Sequence, residues 1–303
     1  MRLAPPAVML AALLAAGPAL ADSQAAFEAY ERGDYAEAAA QALDAVESDG
    51  RDDARRLLGL LHLEGLGVEQ DDETAFALFR QAAENGDTVA QFNLGVMYDE
   101  GRGTELDDAA AVRWYRRAAE AGDPDAQFNL ALMLDEGEGV PVDDPGALRW
   151  YLAAADQGSA SAQHNAAIMF DNGEGTEVDD ARAVSLYRQA AQQGHGQAAY
   201  NLALMYDEGE GVDLDDTAAI AWYKRAAAHG QGNAMFNLGI MYATGEGVKP
   251  DLVEAQAWTL LAARAGAEGA PGNLEAIGQD LSDAEQQQAL ERAAAIAEGF
   301  ETE

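Results

Sequence analysis

The sequence predicts an all-α solenoid built from two-helix repeats, and three observations support this fold class. A small residue recurs every 36 residues, at Ala54, Ala90, Ala126, Ala162, Ala198 and Ala234. Apolar residues within each period follow helical spacing, and glycine and aspartate separate the apolar runs. One two-helix unit cannot bury its own apolar face, so neighbouring units are expected to stack.

Each period contains two apolar runs with helical spacing. In the second repeat these are Ala90, Leu94, Met97 and Tyr98, followed by Ala111, Trp114, Tyr115, Ala118 and Ala119. Two helices of roughly 12 residues with short turns account for one period. Six repeats are therefore predicted in 54–269, at 54–89, 90–125, 126–161, 162–197, 198–233 and 234–269.

The boundaries between helices carry their own signals. A recurrent aspartate is predicted to cap each second helix, at Asp71, Asp107, Asp143, Asp179, Asp215 and Asp251. Asp123 and Asp144, each followed by proline, are predicted N-caps of a first and a second helix. A left-handed glycine is expected after each first helix, at Gly101, Gly137, Gly173, Gly209 and Gly245. The G-x-G pairs join helix to helix and lack a third glycine, which favours a tight turn over a nucleotide site.

This pattern resembles the Sel1-like repeat family, a longer-loop relative of the tetratricopeptide repeat. The repeat that begins at Ala198 carries the motif at Leu202, Tyr206, Gly209, Gly211, Val212, Asp215, Ala219, Trp222, Tyr223, Ala226, Ala227 and Gly230. The resemblance implies a right-handed α-solenoid. The chain departs from the motif where Ala131, Ala167 and Ala203 replace the helix glycine, Leu186 replaces Trp, and Thr259 replaces Tyr.

Both ends of the repeat array are predicted to be caps. Residues 22–53 resemble a tetratricopeptide hairpin that turns at Gly33 and Asp34. Residues 270–303 are predicted capping helices, with a capping box formed by Ser282 and Glu285. The apolar stripe of the last helix is predicted at Leu290, Ala294 and Ala297.

Residues 1–21 are predicted to be a secretory signal peptide. Arg2 precedes a short apolar run, and Ala19 and Ala21 form a small-residue cleavage site before Asp22. The run is too short to cross a bilayer, so a periplasmic or secreted protein without membrane insertion is expected. The absence of cysteine excludes disulfides, thiolate metal sites and a cysteine nucleophile.

The charge narrows the class of partner. The chain has 54 acidic and 18 basic residues, a formal net charge of −36. Loss of Arg2 with the signal would make it −37, since Arg2 is the one charged residue of 1–21. Such a surface repels nucleic acid and attracts a basic partner segment. A solvated acidic face that keeps the protein soluble, as in a salty habitat, is the favoured explanation of the charge itself.

The sequence shows no catalytic set and no cofactor site. His62, His164, His195 and His229 have no metal-binding spacing, and structural or solvent-facing positions are the favoured interpretation. Some relatives in the family are linked to β-lactam binding, but neither lysine follows a serine at the Ser-x-x-Lys spacing. The chain is therefore predicted not to be an enzyme.

A ladder of asparagine and aromatic residues is the main candidate for binding a protein or an extended peptide. It comprises Phe92, Asn93, Phe128, Asn129, His164, Asn165, Tyr200, Asn201, Phe236 and Asn237. Asn is a poor helix former with no evident reason to lie inside a helix. The resemblance implies that this ladder lines a concave groove. The alternative is that each Asn bonds a neighbouring turn and that the aromatics pack between first helices.

Acidic residues at the ends of the first helices form a second candidate set, at Asp99, Asp135, Asp171 and Asp207. Negative charge is mildly unfavourable at a helix C-terminus, so helix physics does not explain these residues. They are predicted to steer a basic partner, with calcium as a less favoured ligand because the spacing differs from an EF-hand.

The sequence thus favours a non-catalytic periplasmic scaffold or adaptor, for envelope assembly or signalling, that binds a peptide or partner protein in a groove. A peptidoglycan- or glycan-binding protein is the alternative, with its aromatics as stacking platforms. A cell-wall or β-lactam hydrolase is the least favoured interpretation.

Overall fold

The computed structural model describes residues 21–300, so the predicted signal segment lies outside the described residues except for Ala21. This part of the chain is all helical, as predicted, and contains 16 helices and no strand. The helices are α1 (Ala21–Glu31), α2 (Tyr35–Asp49), α3 (Asp52–Glu64), α4 (Asp72–Glu84), α5 (Thr88–Glu100), α6 (Asp108–Glu120), α7 (Pro124–Glu136), α8 (Asp144–Asp156), α9 (Ala160–Asn172), α10 (Asp180–Gln192), α11 (Gly196–Glu208), α12 (Asp216–Ala228), α13 (Gly232–Thr244), α14 (Leu252–Arg264), α15 (Ala270–Gln279) and α16 (Asp283–Phe300). None of these described helices is long and apolar enough to cross a membrane.

The helices form two compact units, an N-terminal unit that ends at Ala154 and a C-terminal unit that begins at Ala155. In the N-terminal unit consecutive helices pack from α1 to α7, the last of these pairs being α6 and α7, and α1 also contacts α3. In the C-terminal unit consecutive helices pack from α9 to α15. The last helix, α16, returns past α15 to pack on α14, where it covers the final repeat.

The core of each unit is rich in alanine, and a fully buried tyrosine recurs among its larger side chains. Tyr115, Tyr151, Tyr187 and Tyr223 are at most 1% exposed. Each lies on a second helix, and Tyr115 faces Gly95 of the preceding first helix. A Cβ added to Gly95 would lie 2.7 Å from the Tyr115 ring, which explains the preference for a small residue there.

The predicted caps are confirmed, with one exception. The side chains of Asp71, Asp107, Asp143, Asp179, Asp215 and Asp251 each accept a backbone N–H from the first turn of a second helix. Asp123 caps α7, with Pro124 at its first position. Asp144 was expected to cap α8, but it is the first helical residue, because the N–H of Gly146 bonds Asp143 at 3.0 Å. The capping box of Ser282 and Glu285 is also present.

The second glycine of each G-x-G pair packs against the preceding repeat. A Cβ on Gly103 would lie 2.0 Å from the carbonyl oxygen of Asp72, at the start of the previous second helix. The equivalent position of Gly211 meets the Asp180 backbone at 2.4 Å. The loop therefore needs glycine for close backbone approach, which supports the tight-turn interpretation.

Two features of the packing differ from the sequence expectation. In α16 the buried residues are Ala289, Ala293 and Ile296, whereas Leu290 is 43% exposed. The predicted stripe of Leu290, Ala294 and Ala297 was wrong by one residue, because alanine-rich runs fit two adjacent registers. A row of buried glutamines was not predicted. The side-chain amide of each donates to a backbone carbonyl near the end of the preceding second helix, at 3.2 Å, from Gln91, Gln127 and Gln163.

Candidate partner-binding surface

The helix-end aspartates are bonded to the buried tyrosines. The hydroxyl of Tyr223 donates to Asp207 Oδ2 at 3.0 Å, and Tyr187 donates to Asp171 Oδ2 at 3.2 Å. In the N-terminal unit Tyr151 donates in the same way to Asp135, at 3.2 Å. These bonds give the aspartates a structural role that offsets their unfavourable position at a helix C-terminus.

Asp99 occupies the equivalent position one repeat earlier. It is partly exposed and, together with Tyr115 and Asn129, lines a small recess in the N-terminal unit. The same three residue types therefore meet in both units.

An asparagine connects a buried tyrosine to the following repeat in the C-terminal unit. Asn237 donates from Nδ2 to the Tyr223 hydroxyl at 2.9 Å. A chain of aspartate, tyrosine and asparagine therefore crosses from one repeat to the next in the C-terminal unit. Asn201 has different partners: its Oδ1 accepts from Nε2 of Gln197 at 3.1 Å, and its Nδ2 lies 3.5 Å from Nε2 of His164. The structural alternative predicted from the sequence was a hydrogen bond from each asparagine to a neighbouring turn, and not to a tyrosine.

The asparagines differ in exposure. Asn93 is 0% exposed and donates from Nδ2 to the Val89 carbonyl at 3.0 Å. Its Oδ1 is buried and has no hydrogen-bond partner among the described residues. The other four, Asn129, Asn165, Asn201 and Asn237, are partly exposed.

The aromatic members of the ladder mostly pack inside the repeats. Phe92, Phe128 and His164 are buried, at 3%, 6% and 9% exposure. Phe92 lies with its ring centroid 5.8 Å from Tyr115, and the Phe128–Tyr151, His164–Tyr187 and Tyr200–Tyr223 pairs repeat this contact at 5.9, 5.9 and 6.0 Å. Tyr200 and Phe236 alone among the five are partly exposed.

A histidine stack lies beside this ladder in the C-terminal unit. The rings of His164 and His195 are stacked, with centroids 4.6 Å apart. Burial, with a smaller contribution from His195, lowers the pKa of His164 to about 4. Nδ1 of His195 accepts the backbone N–H of Ala198 at 3.2 Å, so a histidine serves as the N-cap of α11. Both rings are therefore held in the neutral form near pH 7.

Burial is the main cause of the pKa shifts of the helix-end aspartates and the buried tyrosines. Burial raises the pKa of Asp171 and of Asp207 above the usual range for Asp, and the bond from tyrosine opposes this shift. Burial and the adjacent aspartate raise the pKa of Tyr187 and of Tyr223. The tyrosines therefore stay protonated and donate at any physiological pH. Among the described residues, no three His, Asp or Glu side chains are grouped so that they could hold a metal ion.

Comparison with known proteins identifies the repeat. The family model described as Sel1 repeat matches residues 52–87, 88–123, 124–159, 160–195, 196–231 and 232–266. These frames begin two residues before the boundaries predicted from the alanine period. No curated protein matches the chain.

Two crystal structures show the same fold. One is c5321, described as a protective antigen of uropathogenic Escherichia coli with an SLR fold, at 34% identity and a TM-score of 0.77. The match covers 86% of this chain but 56% of that protein, so this chain spans little more than half of its length. The other is a Sel1 repeat protein from Oxalobacter formigenes, at 33% identity and a TM-score of 0.68, with 80% of this chain and 97% of that protein covered.

The six matched repeats and the two similar structures confirm the resemblance drawn from the motif. Sel1 repeat proteins are generally non-catalytic and typically serve as scaffolds for protein–protein interaction. The chain belongs to the Sel1 repeat family.

Proposed function

We propose that this protein is a non-catalytic periplasmic scaffold that binds a peptide segment of a partner protein. The contact surface lies in the C-terminal unit, at Tyr200, Asn201, Phe236 and Asn237. The observation that carries the proposal is that these four side chains are partly exposed and recur in consecutive repeats. An extended peptide meets such a surface at regular intervals, with an amide and an aromatic ring at each step.

Prior anchoring makes these asparagines suited to binding. Asn237 donates to the Tyr223 hydroxyl, which is itself bonded to Asp207. A side chain that is already held loses less conformational entropy when a ligand binds. An Asn amide carries two donors and two acceptor lone pairs, so an asparagine bonded on one side retains capacity for a peptide backbone.

Charge favours a basic partner segment. The chain carries 54 acidic residues against 18 basic ones. The partly exposed Asp207 lies on the same repeat as Tyr200 and Asn201, and the partly exposed Asp171 lies on the repeat before it. Long-range attraction of this kind raises the association rate of a cationic partner and weakens with salt.

Export rests on the N-terminal segment, where Arg2, the apolar run and the Ala19–Ala21 site resemble a signal peptide. The description of the similar E. coli protein as a protective antigen supports a protein accessible outside the cytoplasm. Expression of the full chain in a Gram-negative host, followed by fractionation and mass spectrometry, should give a periplasmic protein that begins at Asp22. Recovery of an uncleaved cytoplasmic chain would contradict export.

The binding surface can be tested with a random peptide library. Peptides selected on the folded protein should be enriched in Lys, Arg and apolar residues, and their affinities can be measured by fluorescence anisotropy. We expect Asn201→Ala with Asn237→Ala to weaken binding by roughly 10-fold, as for loss of one or two buried hydrogen bonds.

Asn93→Ala is the matched control, because Asn93 has the same repeat position but is 0% exposed. This variant should bind peptides with unchanged affinity. Equal affinity of the double variant and the wild type would refute the assigned surface. Binding to purified peptidoglycan, without selection of any peptide, would instead support the glycan-binding alternative, for which Tyr200 and Phe236 offer stacking rings.

A further inference from the structure

The C-terminal unit contains a cationic cleft that the repeat motif does not explain. It has a volume of about 470 Å³ and lies between α12, α14 and α16. Its lining consists of Lys224, Arg225, Ala228, Trp258, Arg292, Ala295, Ile296, Gly299 and Phe300. Three of these side chains are cationic and none is acidic, in a chain with three acidic residues for each basic one.

The cations of the cleft are only partly neutralised by the fold. Arg292 pairs with Glu254. Lys224 donates to the Tyr242 hydroxyl at 3.0 Å, which leaves its charge uncompensated. Arg225 stacks on the Trp222 ring, 4.7 Å from its centroid, and forms no ion pair within the described residues. Both cations therefore keep charge that an anion in the cleft can pair with.

The wall of the cleft also holds a donor without an acceptor. Trp258 is 4% exposed, and its indole N–H is buried with no hydrogen-bond partner among the described residues. A buried donor left unpaired costs about 1–3 kcal/mol. The Phe300 ring, which is partly exposed, packs beside the indole, with the two ring centroids 6.2 Å apart.

The rest of the lining is apolar. Ile296, Ala228 and Ala295 contribute apolar surface to the lining. A small inorganic anion would leave this surface uncovered, whereas a carboxylate with an apolar body would cover it and pair with the cations. A volume of about 470 Å³ falls within the range of small-molecule sites.

We propose that this cleft binds a carboxylate that carries an apolar group, either a free organic acid or the C-terminus of an apolar peptide. The carboxylate pairs with Arg225 and Lys224 and accepts the Trp258 N–H as the Phe300 ring moves aside. The apolar group packs on Ile296 and Phe300. This site is separate from the asparagine surface and takes a ligand of opposite charge.

Nuclear magnetic resonance can test the site on the whole chain. The chain has four tryptophans, and the Trp258 indole N–H signal is the one lost in Trp258→Phe. Octanoate and octanamide form the first pair of probes, and N-acetyl-leucyl-phenylalanine as acid and as amide forms the second. We expect each acid to shift the Trp258 signal, with the matching amide weaker by at least about 10-fold.

Substitutions of the cations test whether Lys224 and Arg225 bind the carboxylate. Lys224→Gln with Arg225→Gln should weaken binding of the acids by about 10-fold or more, as expected on removal of both charge partners. Arg182→Gln is the control, because Arg182 also stacks on an aromatic ring of the same unit, 4.3 Å from Phe170, but lies outside the cleft. Its affinity should stay within about twofold of the wild type.

A response to the peptide acid alone would assign the site to peptide C-termini, and a response to octanoate as well would show that a free acid suffices. Three results would overturn the proposal. They are equal affinity for acid and amide, unchanged affinity in the double variant, or no shift of the Trp258 signal by any probe at about 10 mM, a concentration that detects even weak sites.

Discussion

Replacement of His164 by phenylalanine should remove an acid sensitivity from the C-terminal unit. His164 is 9% exposed, and the equivalent ladder position is phenylalanine in three other repeats, at Phe92, Phe128 and Phe236. The substitution therefore keeps a ring of similar shape in the same site. What it removes is a titratable group whose pKa burial lowers to about 4.

The direction and size of the effect follow from the two protonation equilibria of His164. In the unfolded chain its pKa is about 6.5, so between pH 4 and 6.5 the unfolded state binds more protons than the folded state. The His164 contribution is fully present above that window and is lost as the pH falls through it. At pH 5 a pKa of about 4 corresponds to a loss of about 2 kcal/mol relative to pH 7.5.

Comparison of the two proteins isolates this contribution. Burial raises the pKa of Asp171 and Asp207, which favours the folded state at low pH and opposes the histidine effect. These groups are present in both proteins, so they largely cancel in the difference. The free energy of unfolding of His164→Phe minus that of the wild type should rise by about 2 kcal/mol between pH 7.5 and pH 5.

Urea unfolding followed by circular dichroism at the two pH values gives this difference. Because repeat arrays depart from two-state unfolding, titration of the His164 ring by nuclear magnetic resonance provides a direct second measurement. A His164 pKa near 6.5, or a free-energy difference that is the same at both pH values, would refute the burial argument.

Three further predictions concern stability and can be measured by chemical denaturation. Tyr223→Phe should lower the free energy of unfolding by about 1–2 kcal/mol, because it removes the hydroxyl that joins Asp207 to Asn237. An unchanged denaturation midpoint would show that these hydrogen bonds contribute nothing to stability. Gly211→Ala should cost several times more than Gly230→Ala, since both have positive φ, 66° and 80°, but only Gly211 lacks space for a Cβ; equal costs would contradict the packing explanation. Gln91→Ala should cost about 1 kcal/mol, because it removes a buried bond to the Ala83 carbonyl, and a neutral result would show that water replaces the amide.

The features that the sequence predicted well depend on a few neighbouring residues. An aspartate three residues before a free N–H, or a glycine just past the last apolar residue, acts within one turn of chain. The caps at Asp71 and Asp215 and the left-handed glycines at Gly101 and Gly209 were therefore predictable. The 36-residue period then extended these local predictions to every repeat, because each repeat packs against equivalent neighbouring repeats.

The errors arose where two registers are equally compatible with the sequence. In α16 the run around Ala293 and Ala294 contains so many alanines that either of two adjacent stripes has helical spacing. Asp143 and Asp144 pose the same ambiguity, because either can cap a helix. Packing against α14 selects the stripe of α16, whereas at α8 the 36-residue period already points to Asp143, the position of the other recurrent caps.

The chain of aspartate, tyrosine and asparagine was missed for a different reason. Its members are separated by 16 and 14 residues, from Asp207 to Tyr223 and from Tyr223 to Asn237, and they meet only through packing across a repeat boundary. The fixed spacing was visible in the sequence as a correlated recurrence of three residue types. It could not be converted into contacts without the direction in which each side chain leaves its helix.

The hydrogen bonds that join aspartate, tyrosine and asparagine change how a loss of stability in an asparagine variant is interpreted. Because Asn237 bonds the buried Tyr223, its replacement by alanine is expected to destabilise the protein whether or not a partner binds there. Structural anchoring and partner binding are therefore compatible, and anchoring lowers the entropic cost of binding. Only a comparison between sites separates the two roles. Loss of affinity in Asn201→Ala with Asn237→Ala, but not in Asn93→Ala, would show that the partly exposed amides contact the ligand directly.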